Sequence, residues 1–307
     1  MSYLLDTSFS GLAAGANIGT DYRAALQSAL NSATSQGKGL LVTQPYGASL
    51  NSNGNVLEMP SNSFIKFAGN GCIKLLPHSA TDYAMLMIDG KTNVNIFNPR
   101  LDGSKENNSA SGGEYGMGIS MYNASNVIIT KPQIIDTWGD GIYIGGDGTP
   151  NTNIEIWNPY IADVRRNCIS VISANGLKIW NAELTRAMDT NPKCGIDFEP
   201  NNNSNVLQNI DLYSPKTIGC NLGLEFALQG LVGANPQNVS INVWNWEDIN
   251  SRDTALSRYD LNKGSYSVTG RVKFRQVWYV KSNIIKDFAA PYDNSVVWDM
   301  LNEVNIS

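Results

Sequence analysis

Three carboxylates are the residues of this sequence best suited to chemistry. Asp197 and Glu199 stand two residues apart in the alternating run 195–200, and Glu225 takes the position of Asp197 in the similar run 223–226, one repeat later. Residues two apart in a strand point to the same side, so the three acids would converge on one face. Negative charges this close together raise the pKa of at least one of the acids. That acid then stays protonated beside an ionised base or nucleophile. Glycoside hydrolysis requires such a pair, so we predict a catalytic acid cluster.

Three further residues are candidates for the same site. Asp140 lies in a Gly-Asp-Gly turn, where it either joins the catalytic acids or shapes the turn. Tyr143 falls in the same outward column as the acids, and we predict that Tyr143 and Arg166 bind substrate. The alternative is that the acids form a solvated face, paired with Arg165, Arg166 or Arg186.

An aromatic column is the second candidate surface. Trp157 and Trp180 are its central members, and they are predicted to stack on sugar rings. A subunit interface or a covered corner is the alternative. The column contains Phe97, Thr130, Trp157, Trp180, Tyr213 and Trp244. His78 is the single histidine and is expected to have no catalytic role, which disfavours a His-dependent scheme.

A repeat in the sequence must position these residues. Runs with an inward apolar residue recur at 118, 141, 168, 195 and 223, a spacing of about 23 to 28 residues. A second set of runs begins at Val94, Val127, Ile154, Leu177, Ile210 and Ile241. Short strands with polar turns and no helix between them predict an all-β solenoid in which each coil buries its apolar side by stacking. The inward residues would be Ile119, Ile142, Ile169, Ile196 and Leu224.

The segments outside the repeat have their own signals. Residues 1–39 contain an amphipathic helix, predicted from Tyr22 to Gln36, which follows Thr20 and Asp21 and would cap the open end of the solenoid. Residues 40–250 form the solenoid, with residues 102–114 as a polar loop that carries a binding edge. Residues 251–307 would add coils, a cap or an oligomerisation surface, with strands near 266–268 and 271–274.

Composition narrows the class of protein. The 307 residues include 22 basic and 27 acidic side chains, for a net charge of −5, and no Lys/Arg cluster that could follow a phosphate backbone. Nucleic acid is therefore an unexpected partner, and no apolar run is long enough for membrane insertion. The first residues lack a basic, apolar leader, so we expect synthesis in the cytoplasm of the host cell without a signal peptide. The four cysteines, Cys72, Cys168, Cys194 and Cys220, are expected to be small buried apolar residues.

Several motifs resemble a known superfamily. They are the helix start Asp21 to Leu26, Leu101-Asp102-Gly103, Asn126 to Ile129, Trp138 to Ile142 and Gly195 to Pro200. Together they are similar to the pectate-lyase-like right-handed parallel β-helix proteins, and among these most similar to bacteriophage tailspike depolymerases. The resemblance implies a right-handed parallel β-helix with a short N-terminal capping helix. It further implies a homotrimer in the virion tail or outside the cell, acting on a bacterial surface polysaccharide.

The reaction is left open between three classes. The first is an endo-glycosidase that hydrolyses a capsule, an exopolysaccharide or an O-antigen without a cofactor or metal. The second is a polysaccharide lyase, in which the acids hold Ca²⁺ against an acidic sugar and Arg165 or Arg166 takes the α-proton. The third is a β-helix that binds carbohydrate or a receptor without cleaving it. The Asn-Thr-Asp, Asp-Asp, Gly-His-Gly and Arg-Ile-Lys pattern of polygalacturonases is absent, so the superfamily alone does not supply catalytic residues.

Overall fold

The computed structural model describes residues 2–146, 148–259, 267–288 and 296–306. One α-helix, α1 (Arg23–Ser35), and three 3₁₀ turns, Asp6–Ser8, Lys105–Asn107 and Leu228–Leu231, accompany the strands of this part of the chain. The strands are, in chain order, β1 (Tyr3–Leu5), β2 (Gly39–Val42), β3 (Pro45–Ala48), β4 (Asn55–Glu58), β5 (Phe64–Phe67), β6 (Cys72–Leu75), β7 (Asp82–Asp89), β8 (Thr92–Phe97), β9 (Arg100–Asp102), β10 (Tyr115–Tyr122), β11 (Ser125–Thr130), β12 (Gln133–Ile135), β13 (Ile142–Ile144), β14 (Asn151–Trp157), β15 (Tyr160–Ala162), β16 (Ile169–Val171), β17 (Ala174–Trp180), β18 (Glu183–Thr185), β19 (Cys194–Phe198), β20 (Leu207–Tyr213), β21 (Lys216–Ile218), β22 (Leu222–Phe226), β23 (Gln237–Ile249), β24 (Thr254–Arg258), β25 (Val268–Val280), β26 (Ile284–Phe288) and β27 (Val296–Ile306).

The strands form two parallel sheets that wind around one core. The nine-stranded sheet contains β4, β7, β10, β13, β16, β19, β22, β24 and β26, stacked in that order. The other described strands belong to the eighteen-stranded sheet. Each coil contributes one strand to the first sheet and one or two strands to the second, and neighbouring coils pair in parallel. The fold is the expected all-β, right-handed parallel β-helix.

The core is built from rows of aliphatic residues, one per coil. Ile142 of β13, Ile169 of β16, Ile196 of β19 and Leu224 of β22 pair in register, and all four side chains are fully buried. The second row pairs Val94, Val127, Ile154, Leu177, Ile210 and Ile241, as the sequence alignment of the runs predicted. An apolar residue at every second position suffices for these rows, because alternate side chains of a strand face the same side.

Sharp corners inside the eighteen-stranded sheet depend on single residues in the left-handed conformation. Asn98, Asn158 and Asn181 have φ of about 50° and separate β8 from β9, β14 from β15, and β17 from β18. Asparagine adopts this conformation more readily than most residues because its short polar side chain bonds locally. The repeated Asn-Pro and Asn-Ala pairs of the sequence are therefore corner signals.

Helix α1 covers the first coils. Leu26, Ala29, Leu30 and Ala33 are buried, and the helix packs on β2 and β4. It begins at Arg23, one residue after the predicted start, since Tyr22 adopts a non-helical conformation. The Asp21 carboxylate accepts a hydrogen bond from the Arg23 backbone N–H at 3.0 Å, which satisfies one free donor of the first turn.

Parallel pairing continues past Trp246, where the sequence repeat fades. β25 pairs with β23, and β27 pairs with β25 along the whole length of β27. Expected strand positions 267–268 and 271–274 lie in or beside β25, whereas Tyr266 lies outside the described residues. The last strand exposes the apolar residues Val297, Leu301, Val304 and Ile306. In the described parts of the chain, no helix has the length and apolarity needed to span a membrane.

Candidate active site

A polar groove lies on the outer side of the nine-stranded sheet. Its volume is about 520 Å³. The lining residues are Glu114, Arg166, Asn191, Pro192, Glu199, Pro200, Asn201, Glu225, Ala227, Gln229, Gly230 and Tyr259. The groove thus combines charged, amide and hydroxyl groups, which are the groups that orient a polar ligand.

A larger cavity, of about 730 Å³, lies on the eighteen-stranded sheet. It contains two carboxylates, and each has a cationic partner: Lys74 lies 2.8 Å from Asp102, and Arg186 lies 2.5 Å from Asp163. Its acids are therefore neutralised, and it lacks the unequal acid pair that the polar groove contains. We place the candidate active site in the polar groove for this reason.

One column of outward residues brings the acids of the groove together. Tyr143 of β13, Ser170 of β16, Asp197 of β19, Glu225 of β22 and Ser257 of β24 pair in register across successive strands. Adjacent strands lie roughly 4.8 Å apart, so Asp197 and Glu225 are neighbouring carboxylates. The predicted stacking of these two acids is confirmed.

Glu199 and Glu225 both line the groove, in different electrostatic surroundings. Burial and the nearby Glu199 carboxylate raise the pKa of Glu225 to about 7, although hydroxyls of Tyr259 and Ser257 hydrogen bond to it and oppose the rise. Glu199 is instead held by Arg166, whose Nη2 lies 2.7 Å from Glu199 Oε2. One carboxyl group is therefore protonated for much of the time at neutral pH, while its neighbour is paired with a cation.

Asp197 lies behind the groove, and its side chain is fully buried. Asn167 Nδ2 donates to Asp197 Oδ2 at 3.0 Å, while Oδ1 has no hydrogen-bond partner among the described residues. Burial, together with the charges of Glu225 and Glu199, raises the pKa of Asp197 well above its ordinary value. Asp197 is thus positioned to influence Glu225 rather than to touch a ligand.

Asp140 is also fully buried, at the turn before β13. Its carboxylate accepts hydrogen bonds from Ser170 Oγ at 2.7 Å, from the Asn167 backbone N–H at 2.9 Å and from Arg166 Nη1 at 3.3 Å. Burial raises the pKa of Asp140, and these partners oppose the rise. Asp140 therefore fixes Arg166 and the turn from behind the groove.

Arg166 connects the acids to one another. It pairs with Asp140 and Glu199, and its Nε lies 3.6 Å from Glu114 Oε2. The side chain is only 8% exposed. Burial favours a lower pKa for the guanidinium, but Asp140, Asp197 and Glu199 outweigh burial and raise its pKa above the ordinary value. Arg166 therefore stays charged and holds the Glu199 side chain in a fixed position.

The acids of the groove are not arranged as metal ligands among the described residues. Three or more His, Cys, Asp or Glu side chains arranged to hold a metal ion are not found in the described residues. The acids instead contact Arg166, Asn167 and Ser170.

Solved structures of several bacteriophage proteins are similar to this chain over nearly its whole length. The pre-mature gene product 12 of bacteriophage phi29 matches 97% of the chain at a TM-score of 0.64 and 15% identity, over 45% of its own length. The tailspike protein of E. coli bacteriophage HK620 matches 99% of the chain at 0.62 and 14% identity, over 56% of its length. The tailspike protein gp49 of Acinetobacter baumannii bacteriophage Fri1, a capsular polysaccharide depolymerase, matches 100% of the chain at 0.55 and 14% identity, over 63% of its length.

The chain shares the parallel β-helix fold of these phage proteins. The resemblance inferred from the sequence motifs is therefore confirmed at the level of the fold, which does not by itself assign an activity.

Sequence comparison identifies relatives in Bacillus subtilis strain 168. Protein YclG is 27% identical over 178 residues, which is 52% of this chain and 30% of that protein. The SPbeta prophage-derived protein YorA is 26% identical over 164 residues, which is 48% of this chain and 28% of that protein. The matched regions thus span less than a third of each relative's length. No protein-family model matches the sequence.

The structure separates the predicted acid and substrate residues into two layers. Glu199, Glu225 and Arg166 line the groove. Asp197 and Asp140 lie beneath it, fully buried. Tyr143 is in the predicted column but is only 5% exposed, and it packs with Met117, Ile172 and Tyr122. The expectation of an exposed acid face is wrong for Asp197 and for Glu225, which is only 2% exposed, because neighbouring groups cover their outward sides.

The aromatic column lies on the eighteen-stranded sheet, away from the groove. Trp157 stacks on Trp180 with ring centroids 3.7 Å apart and planes 6° apart, and Trp180 stacks on Tyr213 at 5.5 Å. Both faces of Trp180 are therefore occupied by neighbouring rings. Sugar binding by Trp157 and Trp180 stays a prediction, and it would involve ring edges or the outer face of Trp157.

The remaining predicted features have clear places. Cys168, Cys194 and Cys220 are free and buried, as expected, and Cys72 is free and partly exposed. His78 lies outside the groove lining and accepts a hydrogen bond at Nδ1 from the Ala80 backbone N–H at 3.1 Å.

Several residues of the site, some lining the groove and one buried beneath it, were missed by reasoning from the sequence. Asn167 contacts Asp197, Asp140 and Ser170, yet an asparagine before a strand has the appearance of a turn residue. Tyr259 follows β24, the strand one coil after Glu225, so extending the strand alignment by one coil would have found it. Glu114 ends the loop that was expected to carry a binding edge.

Proposed function

We propose that the groove hydrolyses glycosidic bonds inside a bacterial surface polysaccharide such as a capsule, an exopolysaccharide or an O-antigen. The observation that carries this proposal is the unequal pair Glu225 and Glu199. Glu225 has a pKa of about 7 and lines the groove beside Glu199, whose carboxylate is held by Arg166 at 2.7 Å. Glycosidases use a carboxyl group with a raised pKa as the acid and an ionised partner as the base or nucleophile.

Each residue has a role in this mechanism. Glu225 donates a proton to the oxygen of the leaving sugar. Glu199 acts on the anomeric centre, either directly or through a water molecule. Asp197 and Asp140 are positioning residues: Asp197 lies opposite Glu225 on the neighbouring strand and backs it from beneath the groove, and Asp140 anchors Arg166.

The phage proteins of similar fold support a polysaccharide as the substrate. The tailspike protein of bacteriophage Fri1 is a capsular polysaccharide depolymerase, and the matched protein of bacteriophage HK620 is also a tailspike. By the same analogy, we propose that the chain works as a homotrimer in a virion tail. The stacked aromatic column and the exposed apolar residues of β27 are the surfaces available for subunit contacts.

A lyase of the same fold is the second candidate. It would require a side chain that accepts the α-proton, and Arg166 is a poor acceptor because its pKa is raised by the surrounding acids. Arg165 is the other arginine considered for this role. Its guanidinium lies over the Trp138 ring, 4.4 Å from the ring centroid. A lyase would also use Ca²⁺ bound by the groove acids, whereas hydrolysis by Glu225 and Glu199 is proposed to need no cofactor.

One experiment separates the candidate functions. The protein is incubated with a panel of capsular, exopolysaccharide and O-antigen preparations, with and without EDTA. We expect a fall in polymer mass and new reducing ends, with no new ultraviolet absorbance and no effect of EDTA. Absorbance from a new double bond would favour the lyase. Tight binding without any fall in mass would favour a binding protein.

A further inference from the structure

We infer that the groove selects a polysaccharide segment that bears no carboxylate or phosphate group. This inference rests on the proposed function for the site, and it names the chemical class of the substrate. It follows from the charges that line the groove and from the partners that those charges already have.

Negative charge dominates the groove walls. Among the described lining residues, Glu114, Glu199 and Glu225 are acidic, and Arg166 is the single cation. The Glu114 and Glu199 side chains are 47% and 39% exposed, so both would face a bound polymer. An anionic sugar at this place would meet like charges at short range, which repel it.

Arg166 is not free to receive an anionic sugar. Its guanidinium lies 2.7 Å from Glu199, 3.3 Å from Asp140 and 3.6 Å from Glu114. A substrate carboxylate would have to displace Glu199, and the displaced acid would then lie beside the new one. Since the side chain is only 8% exposed, it also lacks room for a further partner.

The uncharged lining offers an alternative set of contacts. Asn191, Asn201 and Gln229 carry amides that both donate and accept hydrogen bonds, and Tyr259 adds a hydroxyl. Sugar hydroxyls and acetamido groups also donate and accept, so neutral sugars can satisfy these groups in pairs. The groove therefore matches neutral hexoses and N-acetylated sugars better than uronic acids or phosphorylated units.

The test uses pairs of polymers that differ only in charge. Each pair is a uronate-containing capsular polysaccharide and the same material after its carboxyl groups have been reduced to alcohols. The wild-type chain is immobilised, and binding is measured at low and high salt. The dissociation constants of the two polymers of a pair are compared. If the protein cleaves a polymer, kcat/KM is compared instead.

A matched pair of variants tests whether the charges of the groove cause the preference for a neutral polymer. Glu114→Gln removes one charge at the groove rim, and Glu183→Gln removes one from an exposed position on the eighteen-stranded sheet. We expect the neutral polymer to bind at least tenfold more tightly than its acidic parent. The difference in affinity between the neutral and the acidic polymer should become smaller at high salt and in Glu114→Gln. It should not change in Glu183→Gln.

The outcomes distinguish this inference from the proposed function. Equal or tighter binding of the acidic polymer, or binding of neither polymer in any pair, would overturn the inference. A preference for the neutral polymer without a fall in its mass supports the inference and contradicts hydrolysis. Equal changes in both variants would show that the overall charge of the protein, not the groove, sets the preference, and would also overturn the inference.

Discussion

Asp197 of β19 lies directly opposite Glu225 of β22, on neighbouring parallel strands of the nine-stranded sheet. Asp197 is fully buried and Glu225 is 2% exposed, and one carboxylate oxygen of each has no hydrogen-bond partner among the described residues. Two buried carboxyl groups at this spacing cannot both be ionised without a large free-energy cost. The pair therefore retains a proton that an ordinary surface carboxylate would have lost.

Amide substitutions should divide the acids into two classes. Glu225→Gln and Glu199→Gln should each lower kcat on a cleaved polysaccharide by at least about 10²-fold, because each removes an acid or base that reaches the substrate. Asp197→Asn should lower kcat less, since the residue does not line the groove. Initial rates of reducing-end release measure all three. Equal losses in all three variants would place Asp197 among the reacting groups.

The pH dependence of activity follows from Glu225. An acid with a pKa of about 7 is protonated below that pH and loses its proton above it. We therefore expect kcat/KM to fall as the pH rises past about 7, by tenfold per pH unit on the alkaline side. A profile of kcat/KM between pH 5 and 9 measures this. Activity that rises steadily across that range would contradict the assignment of Glu225 as the acid.

Glu225 should also make folding stability depend on pH. Its pKa is raised from 4.5 to about 7, so the folded chain binds more protons than the unfolded chain between those values. Stability from this group is complete below about pH 4.5 and is lost as the pH rises to about 7, by about 3 kcal/mol. Urea denaturation of Glu225→Gln should show a smaller fall over this range. Glu183→Gln serves as the control, and a fall equal to that of wild type in both variants would refute the prediction.

Arg166 should be far more important for stability than an exposed arginine. Arg166→Met leaves the buried Asp140 carboxylate without its cation, at a cost of about 3 to 5 kcal/mol in the free energy of unfolding. The control is Arg186→Met, which breaks an exposed pair with Asp163 and should cost less than about 1 kcal/mol. Denaturant unfolding compares the two. Adding Asp140→Asn to Arg166→Met should recover part of the loss, and no recovery would show that the charge on Asp140 is not its cause.

The proposed trimer gives a prediction for mass in solution. Light scattering should report about three times the 33.4 kDa chain mass at micromolar concentration. If the apolar residues of β27 form the contact, Leu301→Glu should dissociate the assembly, whereas Ile18→Glu, an exposed position near the N terminus, should not. A stable wild-type monomer would contradict the trimer.

Local alternation of the sequence determined much of the fold and part of the site. The rows through Ile142 and Val127 and the neighbouring positions of Asp197 and Glu225 follow from residues two apart facing the same side and from coils repeating at nearly constant length. The aromatic column was found in the same way, with Trp157 paired to Trp180.

Tertiary structure alone decided which of these outward residues meets solvent. Alternation assigns Asp197 and Glu199 to the same side of a strand, yet Asp197 is buried and Glu199 is 39% exposed. It likewise points Trp157 and Trp180 outward without indicating that their faces stack on each other. Burial, the choice of Arg166 as the partner of Glu199, and the pKa of Glu225 depend on turns that neighbouring coils bring together. Those long-range contacts have no periodic signal, because they join residues whose separation along the chain differs from one coil to the next.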